Sequence, residues 1–411
     1  MSNKIDSKTL PDPLRRRLLA AGLASAAAVP LTAMASPHRH GGHAGHGGSQ
    51  GHQHGHGGHA GHGAHGAEAP PYTADELKQA MGYDRLEDIP VRGPATAVDR
   101  LPFTERDGVK EFELTAEAVL WEYADGQTVM AWGYNGQLPG PEIRVTEGDR
   151  VRIRFTNKLP QPTSLHWHGL HVPFAMDGVP GLTQEPIQPG QSFVYEFEAK
   201  PAGTRFYHSH GSHHGDESVQ IDMGLAGAFI VEPREGERSY DREMTLVISE
   251  HQLGEGSANL SALGDHGAHH AGGEHSSNYN LFTLNGRIYP DVKPFKVREG
   301  ERVRMRLINA GSMSIHPMHL HGHTFEIVAI DGNDVPDVAR QRRDVVTLAS
   351  GERFDIEFVC DNPGVWLFHC HELHHAAMGM IMLVEYEGFE VGASAQPATS
   401  TGGHRGHRGH H

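Results

Sequence analysis

The sequence is poor in cysteine, in positive charge and in long apolar runs. Only two cysteines, Cys360 and Cys370, occur among 411 residues, so the chain can form at most one internal disulfide. The formal net charge is −16 with histidine counted as neutral, which gives no indication of a nucleic-acid partner. The apolar stretch near the N-terminus is about a dozen residues long, far short of the roughly 20 residues of a membrane span. No membrane span is therefore expected.

The two cysteines are expected to remain unpaired with each other. Both fall in what reads as one extended strand region, which would hold them about 30 Å apart along the chain. A disulfide needs Cα atoms within about 7 Å. Cys370 therefore needs another explanation, which its neighbours supply below.

Residues 1–35 are predicted to be a signal peptide. They contain a basic cluster at Arg15, Arg16 and Arg17, then the apolar stretch, then a small-residue cleavage site at Ala33-Met34-Ala35. The paired arginines resemble a twin-arginine signal, and an ordinary secretory signal is the alternative. Either signal predicts export, and hence a periplasmic protein.

Histidine is abundant instead, with 34 residues, many of them alternating with glycine. Residues 36–66 and the tail 391–411 have this composition. The whole segment 36–94, which includes a linker after the histidine-rich part, and the tail are predicted to be disordered. Residues 264–278 form a similar histidine-rich insert that is predicted to be a surface loop. Flexible imidazoles capture soft and borderline metal ions, so these segments predict either a metal-scavenging tail or an inert soluble linker. Both interpretations stay open.

The remaining chain is predicted to be all β. Segments such as "EIRVTEGDRVRIRFTN" and "RFDIEFV" alternate apolar and polar residues between Gly, Pro and Asn turns, and no long segment has a helical period. The chain also repeats itself at an offset of about 150 residues. "NGQLPGPEIRVTEGDRVRIRFTNKL" followed by "SLHWHG" matches "NGRIYPDVKPFKVREGERVRMRLINAG" followed by "SIHPMHLHG". We expect two like domains, residues 95–236 and 237–390.

Each copy of the repeat carries two His-x-His pairs. On a strand, residues two apart point to the same face, so each pair presents two imidazoles together and turns the middle residue away. Four pairs at matching positions predict one shared metal cluster. The eight residues are His166, His168, His208, His210, His319, His321, His369 and His371.

The middle residue of the last pair is Ser209 in the first copy and Cys370 in the second. Cys370 would therefore face a different site from its flanking histidines. A thiolate with two imidazoles and a weak axial thioether is the donor set of a blue copper centre. His316, His375 and Met380 are the candidates to complete that set.

The motifs "HWHG", "YHSHG", "HPMHLHGH" and "FHCHELHHAAMGM" resemble the four copper motifs of the multicopper oxidases, complete and in order. The resemblance implies two cupredoxin-like Greek-key β-sandwich domains and four copper ions. Its type 1 copper would bind His316, Cys370, His375 and Met380. Its type 2 copper would bind His166 and His319, and its type 3 pair would bind His168, His208 and His371 on one ion and His210, His321 and His369 on the other. His323 and His374 match no ligand of that pattern.

The resemblance also implies a reaction, in which one-electron oxidations at type 1 copper supply a four-electron reduction of dioxygen to water. Asp177 matches the acid that relays protons in the family, although a carboxylate in such a loop is also a common turn residue. Some bacterial members have a glutamate directly after the histidine matching His375, where this chain has Ala376. Glu372 or water would then substitute, or the relay would depend on Asp177.

The domain count resembles the two-domain small laccases, in which three chains form a ring and share clusters between subunits. A homotrimer is therefore expected. Three functions remain open: a laccase-like oxidase of phenolic donors, a periplasmic cuprous ion oxidase, and a copper-storage or electron-transfer protein without turnover. The methionines near the type 1 motifs favour the cuprous ion oxidase, although they can equally be residues that only pack in the core. They are Met313, Met318, Met378 and Met382. Nitrite reduction fits poorly, since that family has its blue-copper cysteine in the first domain.

Overall fold

The structure, a computed structural model, describes residues 99–211, 216–236, 240–253 and 279–389. The predicted signal peptide, the histidine-rich segment 36–94, the insert 264–278 and the tail 391–411 lie outside the described residues. No helix among the described residues is long and apolar enough to cross a membrane.

The first half of the described chain is a sandwich of two sheets. One sheet has the order β1-β2-β5-β7 with β3 paired to β2, and the other has the order β4-β9-β8-β6. The short helix α1, Asp216–Asp222, precedes β9. The strands are β1 (Thr104–Arg106), β2 (Val109–Ala124), β3 (Gln127–Tyr134), β4 (Gly140–Thr146), β5 (Arg150–Asn157), β6 (Leu165–His168), β7 (Ser192–Glu198), β8 (Gly203–Ser209) and β9 (Ala226–Glu232).

The second half is also a two-sheet sandwich. One sheet has the order β11-β10-β13-β19-β15-β16 with β17 paired to β15, and the other has the order β12-β21-β20-β14-β18. Helix α2, Leu373–Ala377, precedes β21. The strands are β10 (Arg242–His251), β11 (Leu281–Leu284), β12 (Phe295–Val297), β13 (Arg302–Asn309), β14 (His316–Leu320), β15 (Phe325–Ile330), β16 (Asn333–Asp334), β17 (Arg342–Arg343), β18 (Val345–Leu348), β19 (Arg353–Val359), β20 (Val365–Cys370) and β21 (Ile381–Tyr386).

The all-β prediction is confirmed, and its physical basis is the period-two burial of the strands. In β5 the buried residues are Val151, Ile153 and Phe155, and the residues between them face outward. One-sided burial of this kind lets the sheet pack one face on the core and expose the other to solvent. Each sandwich has its own apolar core, and the largest side chains of the two include Trp167 and Phe368.

The two halves use the same pairing scheme. In each, a parallel pair is followed by an antiparallel one, β2-β5-β7 in the first and β10-β13-β19 in the second. The second sheets correspond in the same way, as β4-β9-β8-β6 and β12-β21-β20-β14. The paired histidines therefore lie at corresponding places in both sandwiches, at the ends of β6 and β8 and on β14 and β20.

An ion pair, buried hydrogen bonds and a small apolar core join the halves. Arg306 on β13 lies 3.8 Å from Glu232 on β9 and donates to the Thr204 hydroxyl on β8 at 2.9 Å. Asp355 on β19 accepts a 2.7 Å hydrogen bond from Thr204. Buried charges of this kind are stable only when each has partners. The small apolar core contains Phe206, Ala226, Ala228, Ile230, Val247, Ile308 and Ala310.

The structure corrects the reason given above for unpaired cysteines. Both are free and buried, as expected. However, Cys360 directly follows β19 and Cys370 ends β20, and these strands belong to different sheets. The turn "DNPG" at residues 361–364 interrupts what the apolar pattern suggested was one extended region. The residues are therefore separated by the sandwich and not by 30 Å of continuous strand.

Candidate metal centres

Three groups of potential metal ligands form among the described residues. In each group, one donor atom per residue lies within 4.8 Å of the others. We call them the cysteine centre (His316, Cys370 and His375), the first histidine triplet (His166, His168 and His208) and the second histidine triplet (His319, His321 and His369). Every member of these groups was a candidate ligand from the sequence.

The cysteine centre lies at one end of the second sandwich. Cys370 is the last residue of β20, His316 the first of β14, and His375 lies in α2. The Cys370 Sγ is 3.8 Å from His316 Nδ1 and 3.6 Å from His375 Nδ1. Burial raises the pKa of Cys370 to about 12. Without a bound cation the thiol is protonated, and a coordinated metal ion would remove that proton.

Glu250 on β10 orients His316, and sequence analysis missed it. The His316 Nε2–H donates to Glu250 Oε2 at 3.0 Å, and both side chains are fully buried. The carboxylate also accepts backbone N–H bonds from Met313 and Ser314. Since Nε2 carries the hydrogen, Nδ1 presents its lone pair toward Cys370. Gly311 permits this approach, because a Cβ there would lie 1.9 Å from Glu250 Oε2.

The other predicted partners of this centre are also adjacent. Met380 is fully buried, and its backbone C=O accepts from the Cys370 N–H at 3.1 Å. The ring of Phe282 on β11 stacks on His375, with centroids 4.0 Å apart. Burial lowers the pKa of His375 to about 4, and the nearby charge of His316 lowers it further. His375 is therefore a neutral imidazole with a free lone pair.

The first histidine triplet is formed by β6 and β8. His166 pairs with His208 in the antiparallel register, and the His168 Nδ1 lies 3.3 Å from His208 Nε2. The His208 Nδ1–H donates to the Ser209 carbonyl at 2.8 Å, which leaves Nε2 as its donor atom. Burial lowers the pKa of His168 to about 3, with Arg353 contributing next, so this imidazole is neutral. Between the paired histidines, Trp167 points into the core.

Asp177 lies beside the first histidine triplet. Its backbone C=O accepts from the His166 Nδ1–H at 2.7 Å, and its carboxylate Oδ1 is 3.5 Å from the same nitrogen. Gly178 brings this loop close to β6, because it has φ of +83° and a Cβ would lie 1.9 Å from the Leu165 O. The sequence feature that matters here is therefore the Asp-Gly pair and not the acid alone.

Glu217 on α1 is a second acid near this triplet, also missed from the sequence. Its carboxylate is 3.7 Å from His208 Nδ1 and 3.5 Å from His210 Nε2. The ring of His210 lies 5.7 Å from that of His166, so His210 borders the triplet. The sequence offered no signal for Glu217, because it depends on how α1 folds back toward β8.

The second histidine triplet is formed by β14 and β20. His321 Nε2 and His369 Nε2 are 3.0 Å apart. The His319 Nδ1–H donates to the Asp344 carbonyl and the His369 Nδ1–H to the Cys370 carbonyl, both at 2.8 Å. Their Nε2 atoms therefore carry free lone pairs. His371 borders the group, with its ring 5.7 Å from that of His319.

The two histidine triplets remain separate within one chain. Ring contacts join the histidines of the first triplet and His210 to one another, and likewise those of the second triplet and His371. Among the described residues, no ring contact joins a histidine of the first set to a histidine of the second. Each presents imidazole donors from its own sandwich.

His323 and His374, which match no ligand of the family pattern, make other contacts. The His323 Nε2 is 2.6 Å from the Tyr386 hydroxyl, and the two rings stack. His374 contacts the Phe282 ring. Among the methionines, Met318 and Met382 are fully buried in the second core, whereas Met313 and Met378 are 48% and 39% exposed.

The first sandwich has a polar substitute where the second has the cysteine centre. Ser209 N–H donates to Leu225 O as Cys370 N–H does to Met380 O, so the two sites correspond. Around Ser209, the Thr163 hydroxyl lies 3.0 Å from Ser209 Oγ and 2.6 Å from Gln220 Oε1, and all three side chains are fully buried. This set has neither the thiolate nor the imidazoles that a blue copper ion needs.

Comparisons with known proteins agree with this geometry. Two multicopper oxidase family models match residues 115–236 and 265–388. Laccase-15 of Oryza sativa subsp. japonica is 34% identical over 241 residues, 56% of this chain and 38% of that protein. Copper resistance protein A of Escherichia coli is 30% identical over 268 residues, 54% of this chain and 42% of that protein. The chain thus spans less than half the length of these two relatives.

The crystal structure of the blue copper oxidase from Nitrosomonas europaea is similar over most of its length. It is 31% identical, with a TM-score of 0.58, and the match covers 67% of this chain and 86% of that one. The two sandwiches define a cupredoxin-like fold, and the grouped histidine and cysteine donors define candidate metal centres within it. The chain belongs to the multicopper oxidases, a family whose members bind copper.

Proposed function

We propose that the protein couples one-electron oxidation of a phenolic or similar donor to the four-electron reduction of dioxygen to water. The observation that carries this proposal is the position of Cys370. It belongs to the cysteine centre, while its chain neighbours His369 and His371 belong to or border the second histidine triplet. One tripeptide therefore connects two groups of metal ligands through a few covalent bonds.

The donor atoms fit copper. The cysteine centre combines a thiol, two imidazole Nδ1 atoms and the buried thioether residue Met380, which suits a type 1 ion. The histidine triplets, with His210 and His371, supply only imidazoles and suit one type 2 and two type 3 ions. Bound copper would take electrons singly from the donor and deliver four of them to dioxygen. The chain's own part is to hold neutral imidazoles in fixed tautomers, which Glu250 and the backbone carbonyls accomplish.

Oxygen reduction also consumes protons, and Asp177 is the proposed relay. Its carboxylate lies 3.5 Å from His166 Nδ1, at the edge of the first histidine triplet. Glu372 is less suitable for this role. It caps α2 by accepting the His375 N–H, so it belongs to the cysteine centre instead.

We propose that the cluster forms between chains. Each sandwich presents one half of the ligand set, and the two halves make no ring contact within the described part of one chain. Pairing the first histidine triplet of one subunit with the second of its neighbour would complete the site, and a ring of three subunits would complete three. Sedimentation tests this, since a monomer with full oxidase activity would contradict it.

Oxidation of cuprous ion is the second candidate. Met313 and Met378 are exposed next to the cysteine centre, and thioethers are ligands that select Cu(I). The named role of the similar Copper resistance protein A and the histidine-rich segments agree with this candidate. A protein that only stores copper is the weakest candidate, since storage does not need a cysteine that links two centres. Export to the periplasm by the predicted signal suits either oxidase.

Oxygen uptake distinguishes the two oxidases. Copper-loaded protein is supplied with a phenol or with cuprous ion, and the double variant Met313→Leu with Met378→Leu serves as the comparison. If the protein is a phenol oxidase, the double variant should keep most of the parent's oxygen uptake with the phenol. If it is a cuprous oxidase, the double variant should lose most of the parent's oxygen uptake with cuprous ion. Cys370→Ser, in which both activities should vanish, is the control. Deleting residues 36–66 tests a loading role, which predicts lower copper content.

A further inference from the structure

A cavity of about 400 Å³ lies between the two halves of the described chain, next to the first histidine triplet. His168, His208 and Glu217 line it from the first sandwich, and Ser312 and Ser350 line it from the second. A space of this size with polar walls holds several water molecules, since one water occupies about 30 Å³. The cavity therefore reaches the edge of the proposed oxygen-reducing site.

A buried carboxyl group stands behind the wall of this cavity. Asp222, the last residue of α1, is only 1% exposed. Its Oδ1 accepts from the Ser312 hydroxyl at 2.6 Å, and its Oδ2 from the Tyr279 hydroxyl at 3.0 Å. The two hydroxyls are themselves 2.9 Å apart. Ser312 lines the cavity, so one hydroxyl group separates the Asp222 carboxyl from the space that borders His168.

The surroundings of Asp222 disfavour its charge. Burial is the main cause that raises its pKa to about 7, and the nearby carboxylate of Glu250 raises it further. The hydrogen bonds from Ser312 and Tyr279 act in the opposite direction. His251 is the remaining titratable neighbour, and it donates from Nδ1 to the backbone C=O of Asp222. Because burial lowers the pKa of His251, it adds no positive charge to compensate.

A purely structural role does not account for this group. An amide would satisfy both hydroxyls without the cost of burying an ionisable group, and no arginine or lysine contacts Asp222 among the described residues. Perturbed carboxyl groups beside a polar cavity are characteristic of sites that move protons. The Ser312 hydroxyl contacts the Asp222 carboxyl and also lines the cavity. Asp222 therefore lies where a proton donor to the cavity would lie.

We infer that Asp222 stores a proton and releases it through Ser312 into the cavity during dioxygen reduction. This inference rests on the proposed function. Each dioxygen takes four electrons from the donor and four protons, and its O–O bond is replaced by the four O–H bonds of two waters. Asp222 gives one of these protons to Ser312 as Ser312 passes its own to cavity water. The carboxylate then recovers a proton from cavity water through Ser312, by the reverse exchange, before the next turnover.

The test compares Asp222→Asn and Ser312→Ala with the parent and with Asp125→Asn, an exposed acid-to-amide control. Fully reduced, copper-loaded protein is mixed with dioxygen, and the return of its blue absorbance is timed from about pH 5.5 to about pH 8.5. Asp222 carries its proton below about pH 7 and loses it above. Both cavity variants should be about tenfold slower than the parent at low pH, and the difference should disappear above pH of about 8.

An infrared measurement on the copper-free protein provides a second result that does not depend on activity. A buried protonated carboxyl should titrate near pH 7 in the parent, remain in Ser312→Ala and vanish in Asp222→Asn. Rates with the same pH dependence in the parent and both variants would overturn the inference while leaving the oxidase intact. A parent that reduces no dioxygen would instead contradict the proposed function, and the infrared result would still show whether Asp222 holds the proton.

Discussion

Replacing Glu250 by glutamine should weaken copper binding at the cysteine centre. The carboxylate accepts three hydrogen bonds, from His316 Nε2 at 3.0 Å and from the Met313 and Ser314 backbone N–H groups at 2.9 and 2.8 Å. Glutamine has only one acceptor oxygen, so its NH₂ group would face either the His316 Nε2–H or the backbone N–H groups of Met313 and Ser314, which are all donors. Either His316 loses its fixed tautomer or a buried backbone N–H loses its partner.

The size of the effect follows from the role of such groups. Removing the partner of a metal-bound histidine typically lowers metal affinity by about 10- to 100-fold, or about 1.4 to 2.7 kcal/mol. The burial of both Glu250 and His316 places this pair toward the upper end, because water cannot replace the lost acceptor. Copper bound by the histidine triplets should be retained, since Glu250 does not contact them.

The assay is competition for copper between the protein and a chelator, followed by the blue absorbance of the cysteine centre. Glu299→Gln is the matched control, because Glu299 is exposed and distant from the described ligands in the sequence. Its copper affinity should equal that of the parent. If Glu250→Gln binds this copper as tightly as the parent does, then the carboxylate does not orient His316 and the reasoning is wrong.

Three further variants test other parts of the site. Cys370→Ser should abolish the blue absorbance and keep the remaining copper; unchanged colour would refute its assignment. His323→Phe should keep full copper content in metal analysis and lower the unfolding free energy by about 1–3 kcal/mol, because it retains the stacked ring and loses a buried hydrogen bond. Gly178→Ala should lower copper retention by about tenfold, since its Cβ would meet Leu165 O. Gly181→Ala, which has open space, should retain its copper, and equal losses in both would exclude the steric explanation.

The sequence predicted the all-β fold because burial in these strands follows the period-two pattern. The same period turns Trp167 and Leu320 inward, so the histidines on either side of each share a face; the sharing of one cluster by all eight histidines stays a prediction. Cys360 and Cys370 show the limit of that pattern. They were assigned to one strand region although the turn residues at positions 361–364 lie between them, and the chain passes from one sheet to the other at that turn.

Glu250 and Asp222, which sequence analysis missed, depend on contacts between distant segments. Glu250 reaches His316 from a strand 66 residues earlier in the chain. Asp222 meets Tyr279 and Ser312 from the other sandwich, 57 and 90 residues away. Local periodicity contains no information on such pairs, because they form only when the sheets pack. The acids that tune a site are therefore harder to predict than the ligands themselves.

The copper positions themselves are the most direct test of the account. A crystal of the copper-loaded protein, measured on both sides of the copper absorption edge, locates every copper ion. The account predicts one ion bound by His316, Cys370 and His375, and three ions between the first histidine triplet of one subunit and the second of its neighbour. Copper ions that occupy each triplet separately, with no subunit contact between them, would contradict it.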